Sequence, residues 1–259
     1  MLGWLIFKHA AVMLWNNRAV ALRLALVPFL LAILAVMVFV SVFSDMSLMQ
    51  DTLFPGSPVA EQTDIPSEQL GSFFTGLIGF MILSLVFTLW VIIAWHRYIL
   101  LEEMSQGVTP PFHGDRMLAY FGQLVKLFLL AFGLSIPFSI IFVMAAQSPA
   151  LLVLVGVIFG MFLIVVFYRL SIVLPAAAIG RSITLRQAWT DTEGSLFAII
   201  VLVIVAGVAQ MAVQFVGGLF GAIPGLGFAV NLLISFAIGM LNASILTTLY
   251  GHYVEGRDL

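Results

Sequence analysis

No cysteine occurs among the 259 residues, which excludes disulfides and Cys-ligated zinc or iron–sulfur sites. Charge is nearly as scarce. Only 8% of the residues are Asp, Glu, Lys or Arg, against roughly 25% in soluble domains. The four histidines, His9, His96, His113 and His252, show no i,i+3 or i,i+4 pairing and no HExxH, so no metal site is expected. No cofactor is expected either. The glycine-rich run GGLFGAIPGLG (217–227) lacks the lysine of a phosphate-binding loop.

Apolar residues are abundant: 63% of the chain is hydrophobic and the mean hydropathy is +1.19. Six stretches, near 22–43, 71–95, 124–146, 150–169, 195–219 and 227–250, each approach the ~20 residues needed to cross ~30 Å of hydrocarbon. In lipid every backbone N–H and C=O needs an internal partner, so these stretches are expected to be helices even where Val, Ile and Phe dominate. The expected fold is an all-α polytopic membrane protein, a single domain of six transmembrane helices. The first apolar stretch is longer than the ~7–15 residues of a signal-peptide core and no small-x-small site follows, so it is expected to remain in the mature protein. The longest connection, near 45–70, is too short to build a core of its own.

Where the charges fall orients the bundle. If the N-terminus is inside, all ten basic residues lie on or beside the cytoplasmic side, and the outer connections contain none. The 44–70 segment carries Asp45, Asp51, Glu61, Asp64 and Glu68 without a lysine or arginine, and reads as an outer cap with one interfacial turn around Leu48 to Phe54. This pattern predicts three hairpins with both ends of the chain inside. Short cytoplasmic interfacial helices are expected at 1–17 and after Thr184, where Thr184 and Gln187 form a capping box that leads to Trp189. A third such segment, HGDRMLAYFGQLVK, has Asp115 as its expected N-cap.

Arg169 lies in an apolar stretch with no other charge from Ala150 to Gly180. With Ser148 as N-cap and Pro149 at the first helical position, about 20 residues of helix end at Arg169, where a long side chain reaches the interface. Arg169 therefore reads as an anchor rather than a buried functional charge, beside Tyr168 in the aromatic belt. Arg97, with Trp95 and Tyr98, reads the same way. The contexts HRYIL and YRLSI recur after spans two and four, and LYGHYVEG (249–256) closes the third hairpin less faithfully. Together they suggest a threefold repeat of interfacial helix, span, outer turn and span.

Three classes of chemistry remain. Proton relays commonly hold Asp or Glu at bundle depth, and none of the twelve carboxylates falls within a predicted span. The intramembrane polar residues are amides and hydroxyls: Gln210 and Gln214 share a face of span five, and Asn242, Ser244 and Thr247 lie in span six. They serve either as interhelical hydrogen-bonding groups or as the lining of a polar pathway. Small-xxx-small spacings at Gly156/Gly160, Gly217/Gly221 and Gly221/Gly225 permit close helix approach. The one dense titratable group is His96, Arg97, Glu102, Glu103 and His113, which reads as an interfacial cluster or, in an enzyme, an active site. The favoured expectation is a non-catalytic inner-membrane accessory, assembly or envelope-maintenance protein, in contact with membrane lipids and with a membrane-protein partner or a second copy, and not with nucleic acid. The alternative is a permease or channel for a small solute or lipid.

The stretch FYRLSIVLPAAAIG followed by TLRQAWTDTEGSLFAI, with AWHRYILLEE as a second match, resembles bacterial six-helix membrane proteins that include the membrane domain fused to some glycerophosphodiester phosphodiesterases. The resemblance implies the topology and an inner-membrane location. The catalytic barrel of the fused enzymes has no counterpart here, so it implies no catalytic residue.

Overall fold

The computed structural model describes residues 1–43, 67–104, 107, 109–221, 223 and 226–259. The chain is all-α, with no strand among the described residues. The helices are α1 (Leu2–Asn16), α2 (Arg18–Phe43), α3 (Ser67–Leu101), α4 (Gly114–Ala145), α5 (Pro149–Leu170), α6 (Val173–Ala178), α7 (Leu185–Asp191), α8 (Leu196–Gly218) and α9 (Leu226–Tyr253). Six of them, α2, α3, α4, α5, α8 and α9, are long and apolar enough to cross a membrane. The expected outer cap, with its interfacial turn, lies outside the described residues as far as Pro66, as do Pro224 and Gly225 of the glycine-rich run.

The long helices pair in sequence as α2 with α3, α4 with α5, and α8 with α9. Intramembrane hydroxyls turn back on their own helices: Thr88 donates to the Ser84 carbonyl, Ser244 to Met240 and Thr247 to Ala243. Each of these three hydroxyl hydrogens is paired within its own helix. Pro28 in α2 and Pro137 in α4 lie inside continuous helices, as spanning helices tolerate.

Side-chain burial is concentrated at one end. Ile93, Trp95, Leu174, Ile199, Leu249 and Tyr250 are among the fully buried large side chains there, whereas the far halves of the hairpins expose Val42, Val143, Met144 and Phe215. The bundle is closed at one end, where most of the buried side chains gather. All ten basic residues belong to segments at the closed end, as do the residues flanking both ends of the chain.

α1 packs across the closed end on α8 and α9. Its inward face is Gly3, Ile6 and Ala10, spaced for one side of a helix. Gly3 lies directly on the α8 backbone, where a Cβ would overlap the Ala198 carbonyl oxygen and crowd the Leu202 nitrogen. By contrast, an added Cβ at Gly160 meets nothing and one at Gly156 makes only an ordinary contact with Phe142, so the GVIFG spacing marks no close approach.

Local expectations are met unevenly. Thr184 caps α7, accepting from the Gln187 N–H at 3.1 Å. Ser148 occupies the N-cap of α5 with Pro149 following, but its side chain makes no capping bond. Asp115 is not a cap: His113 holds that position, and Asp115 pairs with Arg116 at 3.1 Å inside the first turn. The segment before the third span is no separate interfacial helix either, because α4 runs unbroken for 32 residues. Nothing in that apolar stretch breaks the helix, which is about 48 Å long and overshoots the bilayer.

Gly3→Ala is expected to lower the thermal midpoint of the detergent-solubilised protein by an amount equivalent to about 1–3 kcal/mol of overpacking. Gly160→Ala should leave the midpoint unchanged or slightly raised. Equal behaviour of the two variants in a thermal melt would show that α1 does not seat on α8 in this way.

Candidate functional site: a locked end and a lateral crevice

The closed end is organised around α6. Every residue from Ser171 to Ala178 is buried, and α6 packs against α3, α4 and α9. A buried helix end needs donors for its last carbonyls. The Ile179, Gly180 and Arg181 N–H groups supply three, bonding to Pro175, Ala177 and Ala176. Gly180 makes the turn at φ +82°, a left-handed conformation that favours glycine, and the Arg116 guanidinium lies against its Cα. Arg97 reaches across from α3 and donates to the Ala178 carbonyl at 3.2 Å, which also places positive charge at the helix C-terminus.

Arg97 is held in turn. Its Nε donates to Glu103 Oε2 at 2.7 Å, and the other carboxylate oxygen of Glu103 lies 2.8 Å from His113 Nε2. Burial alone would raise the Glu103 carboxyl. The hydrogen bonds and charges of His113 and Arg97 outweigh it and hold the carboxyl below the usual glutamate range. Three members of the dense titratable group thus converge, and two do not. Glu102 is exposed at φ +56°, and His96 is fully buried against Thr247 and Tyr120.

His96 departs from its expected place at the solvated interface. Its Nδ1 lies 2.8 Å from Thr247 Oγ1, and its ring stacks on Tyr120. Thr247 spends its only proton on the Ala243 carbonyl, so it accepts from His96 and fixes the Nδ1–H tautomer. The Nε2 is buried without a partner. Trp95 is likewise fully buried, among Ala21, Leu24, Met240 and Ala243, and is a core residue instead of a belt residue. Neighbouring helices cover it, and the run AWHRY alone does not reveal that cover. Arg169 sits half-buried at the end of α5. Its guanidinium lies 3.6 Å from the centroid of the half-exposed Trp189 ring and donates to the Trp189 carbonyl at 2.7 Å and to Thr192 Oγ1 at 3.2 Å. It ties the end of α5 to α7.

Below this lock, a crevice of about 470 Å³ opens between α5, α8 and α9. Its apolar wall includes Ile164, Phe167, Val203 and Leu246, and its polar groups are Gln210, Asn242 and Tyr168. Gln210 Nε2 donates to Asn242 Oδ1 at 3.1 Å, joining α8 to α9. Each amide keeps a polar atom beyond this bond, a carbonyl on Gln210 and an NH2 on Asn242. Gln214, one turn along α8 on the same face, is exposed and makes no hydrogen bond among the described residues. A second cavity of about 300 Å³, between α2, α3 and α9, is lined almost wholly by apolar side chains.

Chemically, the arrangement can hold an uncharged hydrogen-bonding group or an apolar chain in the crevice. Among the described residues, no three His, Asp or Glu side chains are grouped to hold a metal ion. Tyr98, expected as a belt residue beside Arg97, and Thr192, absent from the sequence-derived site, prove to be tie points. Tyr98 OH donates to Asn17 Oδ1 at 2.7 Å, and Thr192 meets Arg169. Their only signal in the sequence is proximity to the basic residues. No protein-family model, curated protein or solved structure matches the chain.

Two outcomes test this geometry. Because the folded-state pKa of Glu103 is depressed, its stabilisation is complete above the unfolded glutamate value near ~4.3 and is lost as pH falls through the lower folded value. Glu103→Gln should cost about 1 kcal/mol at neutral pH and flatten the dependence of the melting midpoint on pH below 5. In a double-mutant cycle of Gln210→Leu and Asn242→Leu, unfolding in mixed micelles should give a coupling of about 0.6 kcal/mol. Additivity within error would mean that the pair does not form.

Proposed function

We propose that this chain is a non-catalytic integral protein of the bacterial cytoplasmic membrane, with its closed end in the cytoplasm. It works as an accessory, assembly or envelope-maintenance component through lipid and partner contacts. The observation that carries this reading is the contrast between the two halves of the bundle. Fully buried side chains fill the closed end, and the cavities below it open sideways between helices, toward lipid and neighbouring proteins. A through-going pore would need water-lined depth where Trp95, Ile172, Leu174 and Tyr250 are packed. The clustering of all ten basic residues at that end supports its cytoplasmic placement. On this reading the chain shares its topology with the membrane domains that FYRLSIVLPAAAIG resembles, and the Arg97–Glu103–His113 cluster is a structural tie.

A second reading, a permease for a small solute or lipid, is favoured by the paired amides in the crevice. A ligand admitted from the side would meet Gln210 and Asn242 without passing the closed end.

Purification of the tagged protein in nanodiscs, with mass spectrometry of everything retained, separates the two. A stoichiometric membrane protein is the expected result. A recurrent solute or lipid lost on Gln210→Leu, with no protein partner, would transfer the assignment to transport. For orientation, reporter fusions at Asp51 and Gly114 are expected to read outside and inside, and the reverse pattern would overturn the proposed topology.

A further inference from the structure

The outward face of α1 is the least explained surface of the closed end. Opposite Gly3, Ile6 and Ala10, it presents Trp4, Lys8, Val12 and Trp15, a helical spacing that places them on one side. Trp4 is 49% and Trp15 68% exposed. At the corner into α2, the Arg18 guanidinium sits 4.9 Å from the centroid of the Trp15 ring and donates to the Trp15 carbonyl at 2.9 Å. That uses one of its five N–H donors.

Basic residues at this end are either paired with a carboxylate or, like the exposed Lys126 and Arg186, without an ion pair among the described residues. Arg97, Arg116, Arg181 and Arg257 each pair with a carboxylate. Lys8, Arg18 and Arg23 are exposed, and none makes an ion pair among the described residues. No Asp or Glu precedes Asp45 in the sequence. The corner is also built to stay in place, because Asn17 accepts from Tyr98 OH at 2.7 Å and donates to the Met13 carbonyl at 2.8 Å. Exposed cations beside exposed indoles, on a helix whose other side is bolted to the protein, match the chemistry of a phosphodiester headgroup above its acyl chains.

We infer that the α1–α2 corner is a binding site for anionic phospholipid: Arg18, Lys8 and Arg23 engage the headgroup, and Trp4, Val12 and Trp15 lie at the level of the upper acyl chains. The inference rests on the membrane placement proposed above and not on the identity of any protein partner. Free phosphate shares the headgroup chemistry but has no use for the apolar face.

The test is native mass spectrometry of the full chain released from nanodiscs holding equal amounts of phosphatidylglycerol and phosphatidylcholine. Preferential retention of phosphatidylglycerol is expected, weakening as ionic strength rises, and unaffected by added inorganic phosphate. The variant Lys8→Gln/Arg18→Gln/Arg23→Gln should lose that preference by about fivefold for each charge removed. Trp15→Ala, which keeps all three charges, should shorten lipid retention for both headgroups. Equal retention of the two lipids by the unaltered chain would overturn the proposal. So would a triple variant that keeps the preference, or displacement of the lipid by phosphate. If the triple variant does not fold, the salt dependence of the unaltered chain decides. Failure of the membrane placement itself would appear separately, as extraction of the chain from membranes by alkaline carbonate.

Discussion

The C-terminal carbonyls of α6 are buried where four helices meet, and a structure in lipid has no water to satisfy them. Arg97 resolves this by reaching across from α3 to the Ala178 carbonyl while Glu103 and His113 hold its own charge. One guanidinium thereby connects the end of the second span, the turn after the fourth and the segment before the third. Gly180 closes the same turn in a left-handed conformation that favours glycine, with the Arg116 guanidinium against it. The closed end is held by polar ties of this kind as much as by apolar contact.

The remainder of the bundle follows from that constraint. Between helices in lipid there is little hydrophobic drive, because a neighbouring acyl chain is as apolar as leucine. Helices therefore stay together where close packing or hydrogen bonds hold them, and those are concentrated around α6 and α1. Farther along, stacked rings such as Phe138 on Phe159, the close seat of Gly217 against Ile234 and the bond from Gln210 to Asn242 link the spans, and crevices between them open laterally. The same asymmetry that seals one end makes the other half accessible from the bilayer.

The two guanidinium–indole contacts illustrate how one residue pair serves different ends. Arg169 over Trp189 is also tied to Thr192 and joins two helices of the protein. Arg18 over Trp15 lies on the outer surface of a helix without a carboxylate near it in sequence, and is left to interact with whatever surrounds the protein. Chemistry alone does not separate the two; exposure and the neighbouring charges do.

Much of the architecture was legible in the residues themselves. Long apolar runs dictate helices because the solvent there offers no other partner for the backbone, and the crowding of ten basic residues at one end follows from where those runs stop. Pro149 and Thr184 set helix starts through local geometry that any surroundings would preserve. What surrounds each residue was decided only when the helices packed. SIVLPAAAIG carries no charge, and nothing in it distinguishes a surface loop from a buried turn until α3, α4 and α9 close over it. Trp95 and His96 sit in a sequence that suits an interface, yet helix neighbours cover both, and Gln210 meets Asn242 while Gln214 makes no hydrogen bond among the described residues. Local sequence therefore determined which segments are helical and where their charged ends lie, since backbone solvation acts residue by residue. Tertiary structure alone decided which faces are buried and which polar groups pair, since those depend on contacts between segments far apart in the chain.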